Sequence, residues 1–352
     1  MSRYKLRELG KSIGILSVGP KNCITDVPGI HVGHTTLYYA LNDEEQVCTG
    51  VTAILPHGDN LFRNKVAASA HVINGFGKTT GLVQLEELGR LESPIMLTNT
   101  FGVPAVTQGT LEYLLEQSPE IGDTVGTINV VVGECNDSYL NSIRTFPVKP
   151  LHAKKAINNA TTNQVAEGSV GAGTGMVCSD YKGGIGTSSR IIKTSKIEKE
   201  YIIGCLVLSN FGQMKDLLKH KIFTQKNKEN KSNIELEGSI MIILATNAPL
   251  NERQLKRLAK RAGIGLGNSG SHIDHGSGDI VIAFSTAQTY SHQFSKVEET
   301  HTQIREDHWV MNELFRGVAE ATEEAILNSL TKATTTVGRK GRIVEELNYN
   351  LI

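Results

Sequence analysis

The chain has 352 residues, of which 39% are hydrophobic and 20% charged, so it can bury a large core and wholesale disorder is excluded. Lysine plus arginine and aspartate plus glutamate both number 36, and this zero net charge argues against a nucleic-acid partner. The longest apolar run, 239–245, is far shorter than the roughly 20 residues of a membrane span, and no signal peptide is recognisable. Five scattered cysteines without a C-x-x-C pair favour a reducing compartment, so we expect a cytoplasmic protein.

Short apolar runs bounded by glycine turns alternate along the chain with amphipathic segments. Strands are predicted where β-branched residues cluster between turn residues, at Val51–Leu55, Ile95–Thr98, Ile128–Val132, Ile202–Leu208, Ser239–Ala245 and Ile280–Ser285. Helices are predicted where apolar residues recur at helical spacing, at Leu82–Leu91, Ala105–Gln117, Glu252–Ala262 and Met311–Leu327. Strands mixed with long helices predict one layered α/β or α+β domain over residues 1–352.

One segment breaks this pattern. Residues 219–237 read KHKIFTQKNKENKSNIELE, which is polar, mixed in charge and without apolar periodicity. Gly238 then leads directly into the apolar run that begins at Ser239. Because a long loop inside a compact domain usually serves function or processing, we predict an exposed processing loop here.

Ser239 is the serine to which this loop draws attention. A hydroxyl at the start of a strand is held on a rigid element, but it is a poor nucleophile until a base takes its proton. If the Gly238–Ser239 bond were cut, Ser239 would gain an α-amine whose ordinary pKa is about 7.7–8.0. Nucleophile and base would then belong to one residue. Glycine at 238 would also allow the backbone angles that an N→O acyl shift requires.

Two further segments have a structural and a functional interpretation. Ser277 and Asp279 share one face of an extended backbone, either as a hydrogen-bonded turn or as a pair that relays a proton. The glycine-dense segment 171–189 could aim backbone N–H groups at a ligand, or could form tight hairpin turns. The residues alone leave both alternatives open.

Motifs that suggest metal or nucleotide sites lack the right context. The pairs His31-x-x-His34 and His272-x-x-His275 lie in glycine-rich loops instead of on a zinc-binding helix. The sequence GLGNSG at 265–270 matches G-x-G-x-x-G, but it follows a predicted helix where a dinucleotide site needs a strand. We therefore predict neither a metal site nor a nucleotide site at these motifs.

Seven segments taken in order give the chain a family resemblance. They resemble the DmpA-type aminopeptidases, which comprise L-aminopeptidase/D-esterases and β-peptidyl aminopeptidases. The resemblance extends from about residue 10 to Arg339. The matching segments are DVPGIHVGH (26–34), TGVTAILPHG (49–58), PIMLTNTFGV (94–103), GAGTGMVCSDYKGGIGTSS (171–189), LVLSNFG (206–212), GSIMIILATNAPL (238–250) and HGSGDIVIAFST (275–286).

The resemblance implies a fold and a maturation step. It implies an α+β fold, a four-layer αββα sandwich similar to the N-terminal nucleophile hydrolases but with the connectivity of DmpA and ornithine acetyltransferase. It implies a precursor that cuts itself between Gly238 and Ser239, giving an α-subunit 1–238 and a β-subunit 239–352. Homotetramers of the cleaved pair and activity without a cofactor are also implied.

The resemblance further implies roles for individual residues. Ser239 would be the nucleophile of both self-cleavage and substrate attack. Ser277 and Asp279 would hold the α-amine and the hydroxyl and would relay protons. Asn210 would donate its side-chain N–H to the oxyanion, and Tyr139 would be a second oxyanion or pocket group.

The expected activity is that of a serine aminopeptidase acting on short peptides and on small amides or esters of L-, D- or β-amino acids. Glu134, or less favourably Asp137, would bind the α-ammonium of the substrate and so restrict cleavage to the first residue. One alternative is an acyltransferase of the ornithine acetyltransferase type, which uses threonine as its nucleophile. The other is a non-catalytic glycine-rich α/β binding protein whose Gly238–Ser239 bond stays intact.

Overall fold

The helices and strands are those of a computed structural model, which describes residues 3–193, 199–224, 238–294 and 297–352. In these ranges the strands are β1 His31–Ala40, β2 Gln46–Leu55, β3 Asn64–Gly75, β4 Arg90–Leu91, β5 Ile95–Asn99, β6 Val131–Cys135, β7 Val177–Cys178, β8 Tyr181–Lys182, β9 Gly184–Ile192, β10 Tyr201–Asn210, β11 Ser239–Thr246, β12 Gly278–Ser291, β13 Thr336–Val337 and β14 Ile343–Val344. The helices are α1 Leu82–Leu88, α2 Val103–Gln117, α3 Pro150–Asn158, α4 Met214–Leu217, α5 Glu252–Asn268 and α6 Val310–Thr331.

Two large sheets form the centre of the fold. One has the strand order β1-β2-β5-β6 and the other β4-β3-β12-β11-β10-β9. The pairs β5–β6 and β11–β12 are parallel, and the other neighbouring strands in these sheets are antiparallel. Helices α2 and α3 cover the outer face of the first sheet, while α5 and α6 cover that of the second. The predicted four-layer αββα sandwich is therefore confirmed.

Strand β11 shows why an unbroken apolar run folds at the centre of this sandwich. Ile242 and Leu244 point into the core beneath α5 and α6, whereas Met241 and Ile243 point into the core between the two sheets. All eight residues of β11 are buried. Because both faces of the strand are covered, its sequence is apolar throughout instead of alternating.

Helix α5 is longer than predicted. The sequence suggested an end near Ala262, at the first of three glycines, but the helix continues to Asn268. A side chain at Gly265 would place its Cβ 2.5 Å from the Ala319 carbonyl of α6, so glycine here permits close packing of the two helices. The G-x-G-x-x-G match accordingly begins inside a helix and forms no phosphate-binding turn.

Among the other predicted elements whose bounds differ, α1 and β6 are explained by specific residues, whereas β2, β10, β12 and α6 extend beyond their predicted bounds. Helix α1 ends at Leu88 because Gly89 takes a left-handed conformation with φ 64°, and the chain then enters β4. Strand β6 begins at Val131 and not three residues earlier. The main-chain N–H of Asn129 instead donates a hydrogen bond to the Glu92 carboxylate at 2.8 Å and does not take part in strand pairing.

The predicted processing loop falls partly outside the described residues, which omit 225–237. Its described beginning is packed, contrary to the expectation of an exposed segment. The side chains of Ile222 and Phe223 are buried in the core beneath α5 and α6. His220 lies 2.9 Å from the Glu323 carboxylate of α6, so this part of the segment is anchored to the fold.

Residues near the two ends of the described chain lie against each other. Arg3 donates to the Leu347 carbonyl at 2.6 Å and forms an ion pair with Glu346 at 2.9 Å. The main-chain N–H of Tyr4 donates a hydrogen bond to the Tyr349 hydroxyl at 2.7 Å. These contacts join the first and last described segments.

Candidate active site

The strand register brings three distant segments of the sequence to one edge of the six-stranded sheet. Asn210 is the last residue of β10, Ser239 the first of β11 and Gly278 the first of β12. Asn210 pairs with Ser239, and Ser239 pairs with Gly278. Parallel strands begin at the same edge of a sheet, and an antiparallel neighbour ends there. The predicted nucleophile and oxyanion donor are thereby brought together.

The Ser239 hydroxyl lies beside the peptide bond that precedes it. Its Oγ donates to the Gly238 carbonyl at 2.7 Å. The main-chain N–H of Gly278 lies 3.3 Å from that carbonyl oxygen and 3.3 Å from Ser239 Oγ. A side chain at 238 would place its Cβ 3.1 Å from Phe211, so any residue larger than glycine requires Phe211 to shift slightly. A hydroxyl and a backbone donor thus converge on one carbonyl group.

Ser277 and Asp279 lie on the same face of the backbone, as predicted, and their side chains are hydrogen-bonded to each other. Ser277 Oγ donates to Asp279 Oδ1 at 2.6 Å. Asp279 is buried, and its Oδ2 has no hydrogen-bond partner among the described residues. Burial raises the pKa of Asp279 to about 6, although the hydrogen bond from Ser277 acts in the opposite direction. The pair can therefore accept a proton near neutral pH.

Asn74, at the end of β3, fixes the loop that delivers Ser277. Its Nδ2 lies 2.5 Å from the Ser277 carbonyl and 3.1 Å from the carbonyls of both Asp274 and His275. The same loop contains Ile273 with φ 58°, which is an uncommon conformation for a β-branched residue. One side-chain amide therefore holds several carbonyls of a loop that local conformational preference alone would not favour.

Asn210 is oriented by backbone groups on either side. Its Oδ1 accepts from the Val177 N–H at 2.8 Å, and its Nδ2 donates to the Asn136 carbonyl at 2.9 Å. An amide NH₂ carries two hydrogens, so this contact uses one of two donors. The second hydrogen is left over as a candidate oxyanion donor.

The glycine-dense segment 171–189 forms the hairpin β7–β8 and supports Asn210. The buried Lys182 donates from Nζ to three main-chain carbonyls, each at 2.9 Å, those of Gly173, Met176 and Gly183. Burial lowers the pKa of Lys182 to about 8. Because Val177 lies within this pinned segment, Lys182 also fixes the N–H that orients Asn210. This segment therefore supports the site through packing and orientation.

Glu134, near the end of β6, faces the same pocket as Ser239. Its Oε1 accepts from the Lys78 N–H at 2.8 Å, and its Oε2 accepts from the Thr100 hydroxyl. Gly77 lies between Glu134 and Gly278. A Cβ placed on Gly77 would be 3.5 Å from Glu134 Oε1 and 3.7 Å from the Gly278 Cα. The Glu134 carboxylate and the backbone of Gly278 are therefore near each other. The pocket is lined by Phe76, Lys78, Thr100, Glu134, Asn136, Ser239 and Gly276.

Two other predicted site residues lie elsewhere. Asp137 is buried and accepts from Asn141 Nδ2 at 2.9 Å, and burial raises its pKa to about 7. Tyr139 packs its ring against the Arg342 guanidinium, 4.6 Å from the ring centroid. Neither residue is among the described residues that line the pocket.

Within the described ranges, the chain has neither a cluster of metal ligands nor a helix suited to a membrane. No group of three or more His, Cys, Asp or Glu side chains in these ranges could hold a metal ion. No helix found there is both long and apolar enough to cross a bilayer.

Comparison with known proteins identifies the family. The sequence profile of peptidase family S58 matches residues 22–344. The chain belongs to peptidase family S58. It is 37% identical to the β-peptidyl aminopeptidase BapA of Sphingosinicella microcystinivorans, over 94% of this chain and 86% of that protein. Family membership and this similarity make the chain an aminopeptidase, which favours neither the acyltransferase nor the non-catalytic alternative.

Two solved structures extend the comparison of this S58 peptidase to the fold. The PH0078 protein of Pyrococcus horikoshii OT3 superposes with a TM-score of 0.89 at 44% identity, covering 98% of this chain and 96% of that one. The L-aminopeptidase D-Ala-esterase/amidase of Ochrobactrum anthropi, described as a variant of the Ntn hydrolase fold, gives a TM-score of 0.90 at 32% identity with the same coverages. The family resemblance seen in the sequence is confirmed.

Several groups at the site of this S58 peptidase were not found from the sequence. Asn74 and Thr100 act through contacts with residues that are far away in the chain. The Gly278 N–H is a backbone group, which no side-chain motif reveals. The one available signal was the glycine-flanked segment at 276–279, which marked the loop but not its donor.

Proposed function

We propose that this aminopeptidase cuts its own chain between Gly238 and Ser239 and then uses Ser239 as its catalytic nucleophile. The mature enzyme would consist of an α-subunit 1–238 and a β-subunit 239–352. The supporting observation is the 2.7 Å contact of Ser239 Oγ with the Gly238 carbonyl, which the Gly278 N–H also approaches.

Self-cleavage proceeds as an N→O acyl shift. Ser239 Oγ attacks the Gly238 carbonyl carbon, and the negative charge that develops on the oxygen is stabilised by the Gly278 N–H. The C–N bond then breaks, the proton from Oγ ends on the nitrogen of Ser239, and Gly238 remains attached as an ester. Water hydrolyses this ester, which restores the hydroxyl and releases the Gly238 carboxylate. Ser277 and Asp279 relay the protons, because Asp279 is a buried base bonded to Ser277.

Turnover repeats the same chemistry on a substrate. The new α-amine of Ser239 takes the hydroxyl proton, and Oγ attacks the scissile carbonyl, which occupies the position that the Gly238 carbonyl held. The Gly278 N–H and Asn210 Nδ2 donate to the oxyanion. The leaving amine takes up the proton, and water hydrolyses the acyl-enzyme to complete the cycle.

Glu134 gives the site its preference for a free N-terminus. Its carboxylate lines the pocket with Ser239 and binds the substrate α-ammonium by a charge-assisted contact. The Lys78 N–H and the Thr100 hydroxyl hold this carboxylate in place, and each carboxylate oxygen keeps capacity for a further donor. Asp137 is not among the described residues that line the pocket, so we assign ammonium binding to Glu134 alone.

The substrates we propose are short peptides and small amides or esters with an N-terminal L-, D- or β-amino acid. The named relatives include a β-peptidyl aminopeptidase and an L-aminopeptidase D-Ala-esterase/amidase. We further propose a homotetramer of cleaved pairs and a cytoplasmic location. The five cysteines, all buried as unpaired thiols, support a reducing compartment.

The test compares the wild type with Ser239→Ala by intact mass spectrometry and by hydrolysis of amino-acid p-nitroanilides. We expect two polypeptides and activity from the wild type, and one uncut, inactive chain from the variant. Ser285→Ala is the matched control, because Ser285 is also buried and also donates to a main-chain carbonyl, that of Ala248 at 2.6 Å. Cleavage of the Ser239→Ala chain, or an uncut wild type that is active, would contradict the proposal.

A further inference from the structure

The pocket that contains Ser239 has a cationic side chain that the chemistry above does not use. Lys78 is exposed at the rim, and its Nζ lies 4.6 Å from the ring centroid of Phe76, another residue of the pocket lining. Across the ranges 3–193, 199–224, 238–294 and 297–352, no acidic side chain lies within 4.0 Å of this ammonium group. Among the described residues, this ammonium group therefore makes a cation–π contact with an aromatic ring and no ion pair.

The acidic residue of the pocket does not neutralise this lysine. Glu134 is held by the main-chain N–H of Lys78 and by the Thr100 hydroxyl, and not by the Lys78 side chain. The pocket thus offers one carboxylate and one separate ammonium group around the same serine. A ligand that satisfies both groups must itself carry a positive and a negative charge.

We propose that Lys78 is a specificity residue which binds a carboxylate on the first or second residue of the substrate. This inference rests on the proposed function, in which Glu134 binds the α-ammonium. The carboxylate can be the C-terminus of a dipeptide or an acidic side chain beside the scissile bond, and both present the same chemistry to the lysine. The preferred substrate class is therefore zwitterionic dipeptides and short acidic peptides, in preference to neutral amides.

The size of the effect follows from exposure. An ammonium group at a solvent-exposed rim contributes modestly, so the preference for a carboxylate over its neutral counterpart should be roughly three- to tenfold in kcat/KM. Salt screens exposed pairs, so the preference should decrease as ionic strength rises. A role of Lys78 in folding alone would produce neither dependence.

The experiment measures kcat/KM for matched substrate pairs that differ in one charge. The first pair is a dipeptide and its C-terminal amide, the second is a peptide amide with Glu or Gln as the second residue, and the third is one with Glu or Gln as the first. The ratio within each pair is compared among the wild type, Lys78→Met, Lys78→Arg and Lys78→Glu, at low and high salt. Lys154→Met is the control for net charge, because Lys154 lies on α3 and pairs with Glu116.

We expect the wild type to favour the charged member of at least one pair, and the pair that responds identifies the source of the carboxylate. Lys78→Arg should keep the preference, Lys78→Met should bring the ratio close to one, and Lys78→Glu should invert it. A change that only disturbs folding would lower both members of a pair equally. Ratios near one for all pairs in an active wild type, or a preference unchanged in Lys78→Met, would overturn the inference while leaving the proposed function intact. Failure to hydrolyse any substrate would contradict the proposed function as well.

Discussion

In the proposed mechanism, Asp279 is the side chain whose protonation can be followed separately before and after self-cleavage. Burial raises its pKa to about 6, and it accepts a hydrogen bond from Ser277 at 2.6 Å. An intact chain has no α-amine at Ser239, so in the proposed self-cleavage Asp279 acts as the base. A cleaved chain would have both groups, and the reference pKa of a free α-amine is about 7.7–8.0.

The rate of self-cleavage should therefore depend on Asp279 in a defined direction. Because the carboxylate form accepts the proton, cleavage of freshly translated chain should slow as the pH falls through about 6. Asp279→Asn should cleave slowly at every pH, by roughly a hundredfold or more, with no such decline. The measurement is the fraction of cut chain against time across a pH series, read on denaturing gels.

Asp137 provides the control for this pH series. Its pKa is also raised by burial, to about 7, but its side chain lies outside the pocket lining. We expect Asp137→Asn to keep the acid decline near pH 6, even if the protein is less stable. An Asp279→Asn chain with the wild-type pH profile would show that another group acts as the base.

At the scale of elements, a cluster of buried charged side chains connects β9 with α6. Arg190 of β9 is fully buried and contacts Glu320 at 3.1 Å and Glu324 at 2.7 Å, both on α6. Arg7 reaches the same Glu324 at 2.8 Å. Removing one member of such a cluster leaves a carboxylate buried without its full set of partners.

Arg190→Met should therefore lower the free energy of unfolding by about 3–5 kcal/mol. Lys154→Met removes an exposed pair with Glu116 and should change it by about 0.5 kcal/mol or less. Chemical denaturation of both variants, made in the uncut Ser239→Ala background, gives the comparison on a single polypeptide. Equal stabilities would mean that the β9–α6 cluster contributes no more than a surface ion pair.

The elements that the sequence predicted well are those whose pattern is local. Strand β11 was predicted at almost its full extent because both of its faces are buried and its sequence is continuously apolar. The predicted end of α5 was wrong because glycine can either end a helix or permit two helices to pack closely. Gly265 permits close contact with α6, and that need is visible only when the second helix is in place.

The site shows the same division between local and long-range information. Ser239, Ser277 and Asp279 could be selected because they sit at strand starts next to glycines. Asn74 could not, because its role is defined by carbonyls about 200 residues away in the chain. Tyr139 was expected at the pocket from a family pattern, which carries no information about the direction in which its ring packs.

At the scale of the whole molecule, the proposed cut does not divide the structure. Strands β11 and β12 of the β-subunit lie between β10 and β3 of the α-subunit in one sheet. Helix α6 packs across β9 and β10, which belong to the other piece. Separating the pieces would break two strand ladders and expose the cores on both sides, so we expect the cleaved subunits to remain associated.

The contact of Arg3 and Tyr4 with Leu347 and Tyr349 has a practical consequence for engineering. A circularly permuted gene could start at Ser239, pass from Ile352 through a short glycine linker to Arg3, and stop at Gly238. Once the initiator methionine is removed, ribosomal synthesis alone would supply the terminal serine. We expect such a polypeptide to hydrolyse p-nitroanilides without any maturation event. A folded but inert permutant would imply that the act of cutting rearranges the site in a way that merely exposing the amine does not.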